Sequence, residues 1–148
     1  MKTNNLIVDS FDKLPSPSYV CEEKLLEKNL ILLKRIQDEA DVNILLALKG
    51  FAMWSTFDLC KKYLKGCCAS GLHEAILAKE EFGGEVHTYS AAFKDDEIDE
   101  IISISNHVVF NSFNQLKRYK DKAFGKTSLG IRLNPEYSSV EVDLYNPC

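Results

Sequence analysis

The chain of 148 residues lacks any long apolar segment, since no hydrophobic run approaches the ~20 residues that a membrane-spanning helix needs. The first 14 residues are polar and have neither the apolar centre nor the cleavage site of an export signal. An excess of positive charge is missing too, because the formal net charge is -4 and nucleic-acid-binding proteins concentrate basic groups on one face. We therefore expect a cytoplasmic protein without a nucleic-acid or membrane partner.

The cysteines lack the spacing of a metal or redox site. None of the five forms a Cys-x-x-Cys pair, the spacing that zinc and dithiol sites commonly use. Adjacent Cys67 and Cys68 predict one side chain on each face of a strand, where the two thiols cannot readily chelate one ion. We expect reduced, mostly buried thiols and no metal site.

The sequence does contain a regular alternation of helical and strand patterns. Apolar residues recur at three- and four-residue steps between Glu22 and Glu39, which predicts a long helix. Five apolar segments then predict strands at 44–48, 67–69, 85–89, 108–110 and 129–133. Helices are expected between them at 56–64, 72–82, 95–104 and 113–119, the last with a solvated basic side. This alternation predicts parallel βα units joined by right-handed crossovers.

Local signals refine the element ends. Pro15 and Pro17 predict an extended N-terminal segment over residues 1–20 that includes a short strand at 17–20. Ser112 is placed to cap the helix that follows it. Glycines are expected to end helices in the left-handed conformation at Gly66, Gly83, Gly84 and Gly125.

Two α/β architectures satisfy this alternation. Five units would complete a flavodoxin-like doubly wound sheet, whereas a (β/α)8 barrel needs eight units and about 250 residues. The stretch 134–148 contains two prolines and no closing helix pattern. That ending favours a truncated larger domain, so residues 21–148 are expected to form the N-terminal part of a barrel.

Lys49 is the most informative single residue. It follows the apolar segment 45–48, so we expect its ammonium at the mouth formed by the strand carboxyl ends, where α/β proteins collect their binding groups. Desolvation there would make the amine a better nucleophile toward an aldehyde. From position alone, a lysine that simply reaches water is the more common case.

Several segments together resemble one enzyme family. They are Pro-Ser-Tyr-Val at 17–20, Leu-Leu-Ala-Leu-Lys-Gly-Phe-Ala-Met-Trp at 45–54, Ala-Ser-Gly-Leu-His-Glu at 69–74 and Gly-Ile-Arg-Leu-Asn-Pro at 130–135. The combination resembles the alanine-racemase-like, fold type III enzymes that use pyridoxal 5'-phosphate (PLP). Within that group it looks most like the carboxynorspermidine/carboxyspermidine decarboxylases. Phe51 and Cys67 stand where ornithine-type decarboxylases carry an asparagine and an acidic residue, which fits the carboxynorspermidine branch.

The resemblance implies a partial (β/α)8 TIM barrel of about five βα units that binds PLP. It implies that Lys49 forms the Schiff base, that Ser70 and Glu74 lie near the cofactor, and that Arg132 lies on its phenolic side. Ser70 and Glu74 would otherwise be a helix-capping pair, and Arg132 a buried structural ion pair. The phosphate-binding loops, the partner of the pyridine nitrogen and the C-terminal β-domain would lie beyond Cys148.

Other candidates are less specific. His87 lies near a predicted strand end and is a candidate to face the cofactor, although a hydrogen-bonded core role is more common; His73 and His107 have weaker claims. Asn134 shares the face of Arg132. The reaction implied by the resemblance is decarboxylation of a carboxylated polyamine to norspermidine or spermidine by a homodimer. The alternatives are a non-catalytic PLP-binding barrel and a flavodoxin-like interaction module.

Overall fold

The computed structural model describes residues 13–142, together with Leu144 and Asn146. A long helix, α1 (Glu23–Ala40), precedes four βα units and a fifth strand. The strands are β1 (Leu45–Ala47), β2 (Gly66–Ala69), β3 (Glu85–Tyr89), β4 (His107–Phe110) and β5 (Ser128–Ile131). The helices between them are α2 (Phe57–Cys60) after a 3-10 turn (Trp54–Thr56), α3 (Leu72–Leu77) continued by a π-helical turn (Ala78–Phe82), α4 (Ile98–Ile104) and α5 (Phe113–Ala123).

The strand order decides between the two predicted architectures. The five strands form one parallel sheet in the order β1-β2-β3-β4-β5. Neighbours in space that are also neighbours in sequence are the arrangement of a (β/α)8 barrel, whereas a flavodoxin-like sheet has the order 2-1-3-4-5. The partial-barrel prediction is therefore confirmed, and the flavodoxin-like alternative is wrong.

The two faces of the sheet differ in polarity and in burial. Alternate residues point to the helices and form the core, among them Cys67, Val86, Thr88, Val108 and Phe110, all buried. The other set is half-buried or exposed and includes Cys68, His87, Tyr89, His107 and Val109. We call this second face the inner face. The split confirms that Cys67 and Cys68 point to opposite sides.

A buried amide fixes α1 against the sheet. The side chain of Gln37 donates to the carbonyl of Tyr63 at 2.7 Å and accepts from the backbone N–H of Ile44 at 2.7 Å. Gln37 is only 3% exposed, so both of these bonds form away from water, where an unpaired amide would be costly. They set the position at which the chain enters β1.

The predicted strand at 17–20 is wrong. These residues are irregular, and Tyr19 is 97% exposed. A strand needs a neighbouring strand to bond its N–H and C=O groups, and within the described residues the sheet begins at β1. The extended sequence pattern therefore has no partner to convert it into a strand.

The residues predicted to cap or terminate helices are correct except at one glycine. Ser112 caps α5, because its side chain accepts from the N–H of Gln115 at 3.3 Å. Gly83, Gly84 and Gly125 have positive φ angles, as predicted. Gly66 instead begins β2, and a Cβ there would lie 2.0 Å from the carbonyl oxygen of Glu85. Gly66 is therefore needed because β2 and β3 approach each other too closely at this point for a side chain.

The basic residues of α5 lie on a solvated surface, as expected. Lys122 Nζ lies 2.8 Å from Asp99 Oδ2, and Arg118 pairs with Asp95. Across the described ranges, no helix has the length and apolar character that a membrane span requires.

Candidate functional site

The carboxyl ends of the five strands bring polar side chains to one edge of the sheet, because all strands run in the same direction. Lys49 lies in the turn after β1, Ser70 directly follows β2, and Tyr89 ends β3. Asn111 directly follows β4, and Arg132 directly follows β5. Lys49, Ser70 and Arg132, which were selected from sequence, therefore lie at the same edge. We call this edge the carboxyl rim.

Lys49 lies at the rim but is not desolvated. The turn that carries it is fixed by two bonds to the carbonyl of Ala47, from Gly50 N at 3.0 Å and from Phe51 N at 3.1 Å. The Lys49 residue itself is exposed. The expectation of a dry amine is therefore wrong for the described residues, since their five strands form an open sheet with solvent at the rim.

Ser70 and Glu74 are joined by one hydrogen bond, which is half of the reciprocal capping pair that the sequence left as an alternative; the N-cap of α3 itself is Gly71. Glu74 Oε2 accepts from the backbone N–H of Ser70 at 2.7 Å, just before α3 begins. A carboxylate that bonds a free N–H at a helix start stabilises that start. The Ser70 residue is exposed, so its hydroxyl remains accessible from the rim.

Arg132 contacts an aromatic residue two strands away. Its Nη1 donates to the phenolic oxygen of Tyr89 at 2.6 Å, and the Tyr89 hydroxyl in turn donates to Asn111 Oδ1 at 2.8 Å. The guanidinium carbon lies 5.3 Å from the Tyr89 ring centroid. Arg132 is exposed, so its interpretation as a buried ion pair is wrong.

These groups line a cavity of about 400 Å³ at the rim. Its walls are Tyr89, Ala91, Asn111, Arg132 and Asn134. The lining confirms that Asn134 lies on the side of Arg132. Sequence reasoning missed Tyr89 and Asn111, although each stands at the carboxyl end of a predicted strand, and that position was the available signal.

His87 lies farther from the rim than predicted. It is the third residue of β3, on the same face as Tyr89, and not at the strand end. Its Nε2 lies 2.9 Å from Glu85 Oε2, and its ring centroid lies 4.0 Å from that of His107 at an interplanar angle of 38°. Its described polar and aromatic partners therefore point toward the amino end of the sheet.

A second, apolar depression of about 970 Å³ lies beside the segment that follows Lys49. It is lined by residues 19–22, by Leu25, Leu26 and Asn29 of α1, and by residues 50–55. Phe51, one of the residues that fits the carboxynorspermidine branch, is part of this lining.

Comparison with known proteins agrees with the fold and with the resemblance. No family model matches the chain. A curated carboxynorspermidine/carboxyspermidine decarboxylase from Campylobacter jejuni is 48% identical over 138 residues, which are 93% of this chain and 36% of that protein. A carboxyaminopropylagmatine decarboxylase from a Synechocystis species is 46% identical over 136 residues, which are 91% of this chain and 35% of that protein.

A solved structure gives the same result. The crystal structure of carboxynorspermidine decarboxylase from Campylobacter jejuni, complexed with norspermidine, matches with a TM-score of 0.82 and 48% identity. The match covers 84% of this chain and 34% of that one. The fold and rim thus define an α/β chain of the parallel-barrel class. Its curated homologues include carboxynorspermidine/carboxyspermidine decarboxylases and a carboxyaminopropylagmatine decarboxylase, which confirms the resemblance. The chain spans 36% of the length of the first of them.

Proposed function

We propose that this chain is part of a PLP-dependent decarboxylase that acts on a carboxylated polyamine and holds its cofactor through Lys49. The observation that carries the proposal is the shared edge: Lys49 and Arg132 come from the first and fifth strands and both stand at the carboxyl rim. In an eight-stranded barrel, the first and fifth strands face each other across the axis. A cofactor between them would touch both.

The residues at the rim fit PLP in chemical type. Lys49 supplies an exposed primary amine, the group that condenses with an aldehyde. Arg132 supplies N–H donors suited to an anionic oxygen, and Tyr89 already fixes one of them. The cavity between Tyr89, Asn111 and Arg132 leaves room beside the guanidinium. Ser70, Glu74 and His87 belong to the proposed cofactor-binding set with weaker geometric support.

PLP, when bound, withdraws the electrons that are released as the bond from Cα to the carboxylate breaks. The contribution of this chain is to bind and orient. Lys49 Nζ would hold the cofactor until the substrate amine takes its place, and the released amine would then relay a proton to Cα. Arg132 would contact the phenolic side of PLP and orient the cofactor. The hydrogen bond to Tyr89 restricts the rotation of the Arg132 side chain. Orientation of this kind accounts for a large share of enzymatic rate.

The substrate class follows from the names of the relatives. Two of them are carboxynorspermidine/carboxyspermidine decarboxylases, and a third is a carboxyaminopropylagmatine decarboxylase. All three names describe a carboxylated polyamine or a close analogue, so we propose that class, with norspermidine or spermidine as product. These names also favour a catalyst over a non-catalytic PLP-binding barrel. A cytoplasmic homodimer is part of the same proposal.

The test uses the full-length protein that contains this chain. After incubation with PLP and reduction with borohydride, we expect the pyridoxyl mass on the peptide that contains Lys49. Lys49→Ala should lose that label, the visible absorbance of bound cofactor and CO2 release from carboxynorspermidine. Lys65→Ala is the matched control, because Lys65 is also exposed but precedes β2, at the opposite edge of the sheet. Retention of the label by Lys49→Ala would refute the proposal.

A further inference from the structure

Three potential metal ligands meet on the inner face, below the rim. One atom each from Glu85, His87 and His107 lies within 4.8 Å of the others, and all three residues are half-buried. Glu85 and His87 are two residues apart on β3 and share one face of it. His107 on β4 is the register partner of His87. The group therefore rests on two hydrogen-bonded strands, which hold its backbone positions rigidly.

We propose that Glu85, His87 and His107 bind a divalent transition-metal ion of the Zn²⁺ type. Two imidazoles and one carboxylate are a donor set that Zn²⁺ uses with a fourth, open position. Ligand atoms about 2.1 Å from one tetrahedral ion lie about 3.4 Å apart. Glu85 Oε2 and His87 Nε2 are 2.9 Å apart, so small side-chain rotations bring the three groups to coordination distance.

The surroundings of the carboxylate support an ion at this place. Asn43 Nδ2 donates to Glu85 Oε1 at 3.3 Å, which orients the carboxylate and leaves Oε2 toward the histidines. Support of a ligand by a second hydrogen bond is typical of metal sites. The ion pair of Glu85 is with His87, which carries a charge only when it is protonated. A dication would supply lasting positive charge there.

Two of the three proposed ligands lie away from the proposed cofactor contacts. Glu85 and His107 lie at the amino ends of β3 and β4, whereas Lys49 and Arg132 lie at the carboxyl rim. His87 belongs to both proposals, so Zn²⁺ binding is measured on protein freed of the cofactor. The competing explanation is a hydrogen-bonded Glu85–His87 pair stacked on His107 that binds no ion.

The experiment uses the full-length protein, freed of any histidine tag and of bound cofactor. Equilibrium dialysis against Zn²⁺ with elemental analysis should give one ion per chain. His107→Ala and Glu85→Gln should each weaken Zn²⁺ binding by at least about tenfold. His73→Ala is the matched control, because His73 is exposed on α3 and away from the cluster. It should leave Zn²⁺ affinity unchanged.

A second probe guards against variants that fold poorly. Co²⁺ bound to the wild-type protein should give visible absorption bands of a four-coordinate nitrogen and oxygen site, and equimolar Zn²⁺ should remove them. The melting temperature of the wild-type protein should rise with added Zn²⁺. Absence of stoichiometric binding, or binding equally strong in His107→Ala, would overturn the proposal.

Discussion

Arg132 Nη1 donates a hydrogen bond of 2.6 Å to the phenolic oxygen of Tyr89, although 43 positions separate the two residues in sequence. The contact spans β4, because Tyr89 ends β3 and Arg132 follows β5. Tyr89 also donates to Asn111, which follows the intervening strand β4. Asn111 therefore holds the phenolic hydroxyl in place. The guanidinium is thereby oriented before any ligand arrives.

Replacement of Tyr89 by phenylalanine removes the acceptor for Arg132 but keeps the ring. If Arg132 contacts the cofactor as proposed, the loss of its orienting bond should raise the dissociation constant for PLP about tenfold, which corresponds to roughly 1.4 kcal/mol for a hydrogen bond to a charged group. Spectroscopic titration of the full-length protein with PLP measures this effect.

The control for this variant is Tyr137→Phe, because Tyr137 is 76% exposed. It should bind PLP like the wild type. A Tyr89→Phe protein that melts earlier but binds PLP normally would assign Tyr89 a structural role only.

Most of the fold was predictable because it follows from local patterns. Apolar segments located all five strands, and three- and four-residue periodicity located α1. The segment 17–20 misled the prediction, since strand propensity is local but strand formation needs a partner. The prediction for Gly66 was wrong because glycine is required there by the backbone of Glu85 on β3. That contact is not visible in the local sequence.

The site was predictable only in part. Lys49 was found because it follows a buried strand, where α/β proteins collect their binding groups. Arg132 was found from the resemblance to the decarboxylase family. Tyr89 and Asn111 stand at the ends of predicted strands, but the hydrogen bond between them depends on strand order and register, which no local pattern encodes. The same holds for the cluster of His87 with His107. Exposure of Lys49 was missed because burial depends on the whole barrel.

Replacement of Gly66 by alanine should destabilise the fold. The new Cβ would lie 2.0 Å from the carbonyl oxygen of Glu85, a backbone atom that cannot rotate away. Strands β2 and β3 must then separate locally, and we expect a loss of about 3 kcal/mol in the free energy of unfolding. Chemical denaturation measures it.

The matched substitution for comparison is Gly71→Ala. A Cβ at Gly71 meets nothing within 4 Å, and its backbone is extended. We expect a change below about 1 kcal/mol there. Equal losses at both positions would mean that strand contact is not the cause.

Glu74 offers a test of the capping geometry. Glu74→Ala removes the acceptor for the Ser70 N–H and should cost about 1 kcal/mol of stability, while Glu74→Gln retains an acceptor oxygen and should cost less. Thermal unfolding of the two variants measures the difference. Glu81→Ala, at an exposed residue of the π-helical turn, should have little effect. If Glu74→Gln instead abolishes PLP binding at unchanged stability, the carboxylate acts on the cofactor.

The thiols of β2 should differ sharply in reactivity. Burial raises the pKa of Cys67 to about 12, so almost no thiolate exists there near neutral pH. Cys68, on the inner face, is exposed, although burial also raises its pKa. Alkylation of the native protein at about pH 8 should label Cys68 first and leave Cys67 unlabelled until unfolding. Peptide mass spectrometry reads the order, and early labelling of Cys67 would contradict its burial.

The same pKa shift makes stability depend on alkaline pH. Below the usual thiol pKa of 9.0, Cys67 is protonated in both the folded and the unfolded chain and adds no pH dependence. Between that value and about 12, the unfolded chain releases the proton while the folded chain keeps it, so stability should fall as pH rises.

Cys67→Ala should be less stable than the wild type at about pH 8 because it leaves a cavity. The gap between Cys67→Ala and the wild type in free energy of unfolding should narrow as pH rises above 9.0, since lysines and tyrosines titrate alike in both proteins. A constant gap would show that the buried thiol does not remain protonated in the folded state.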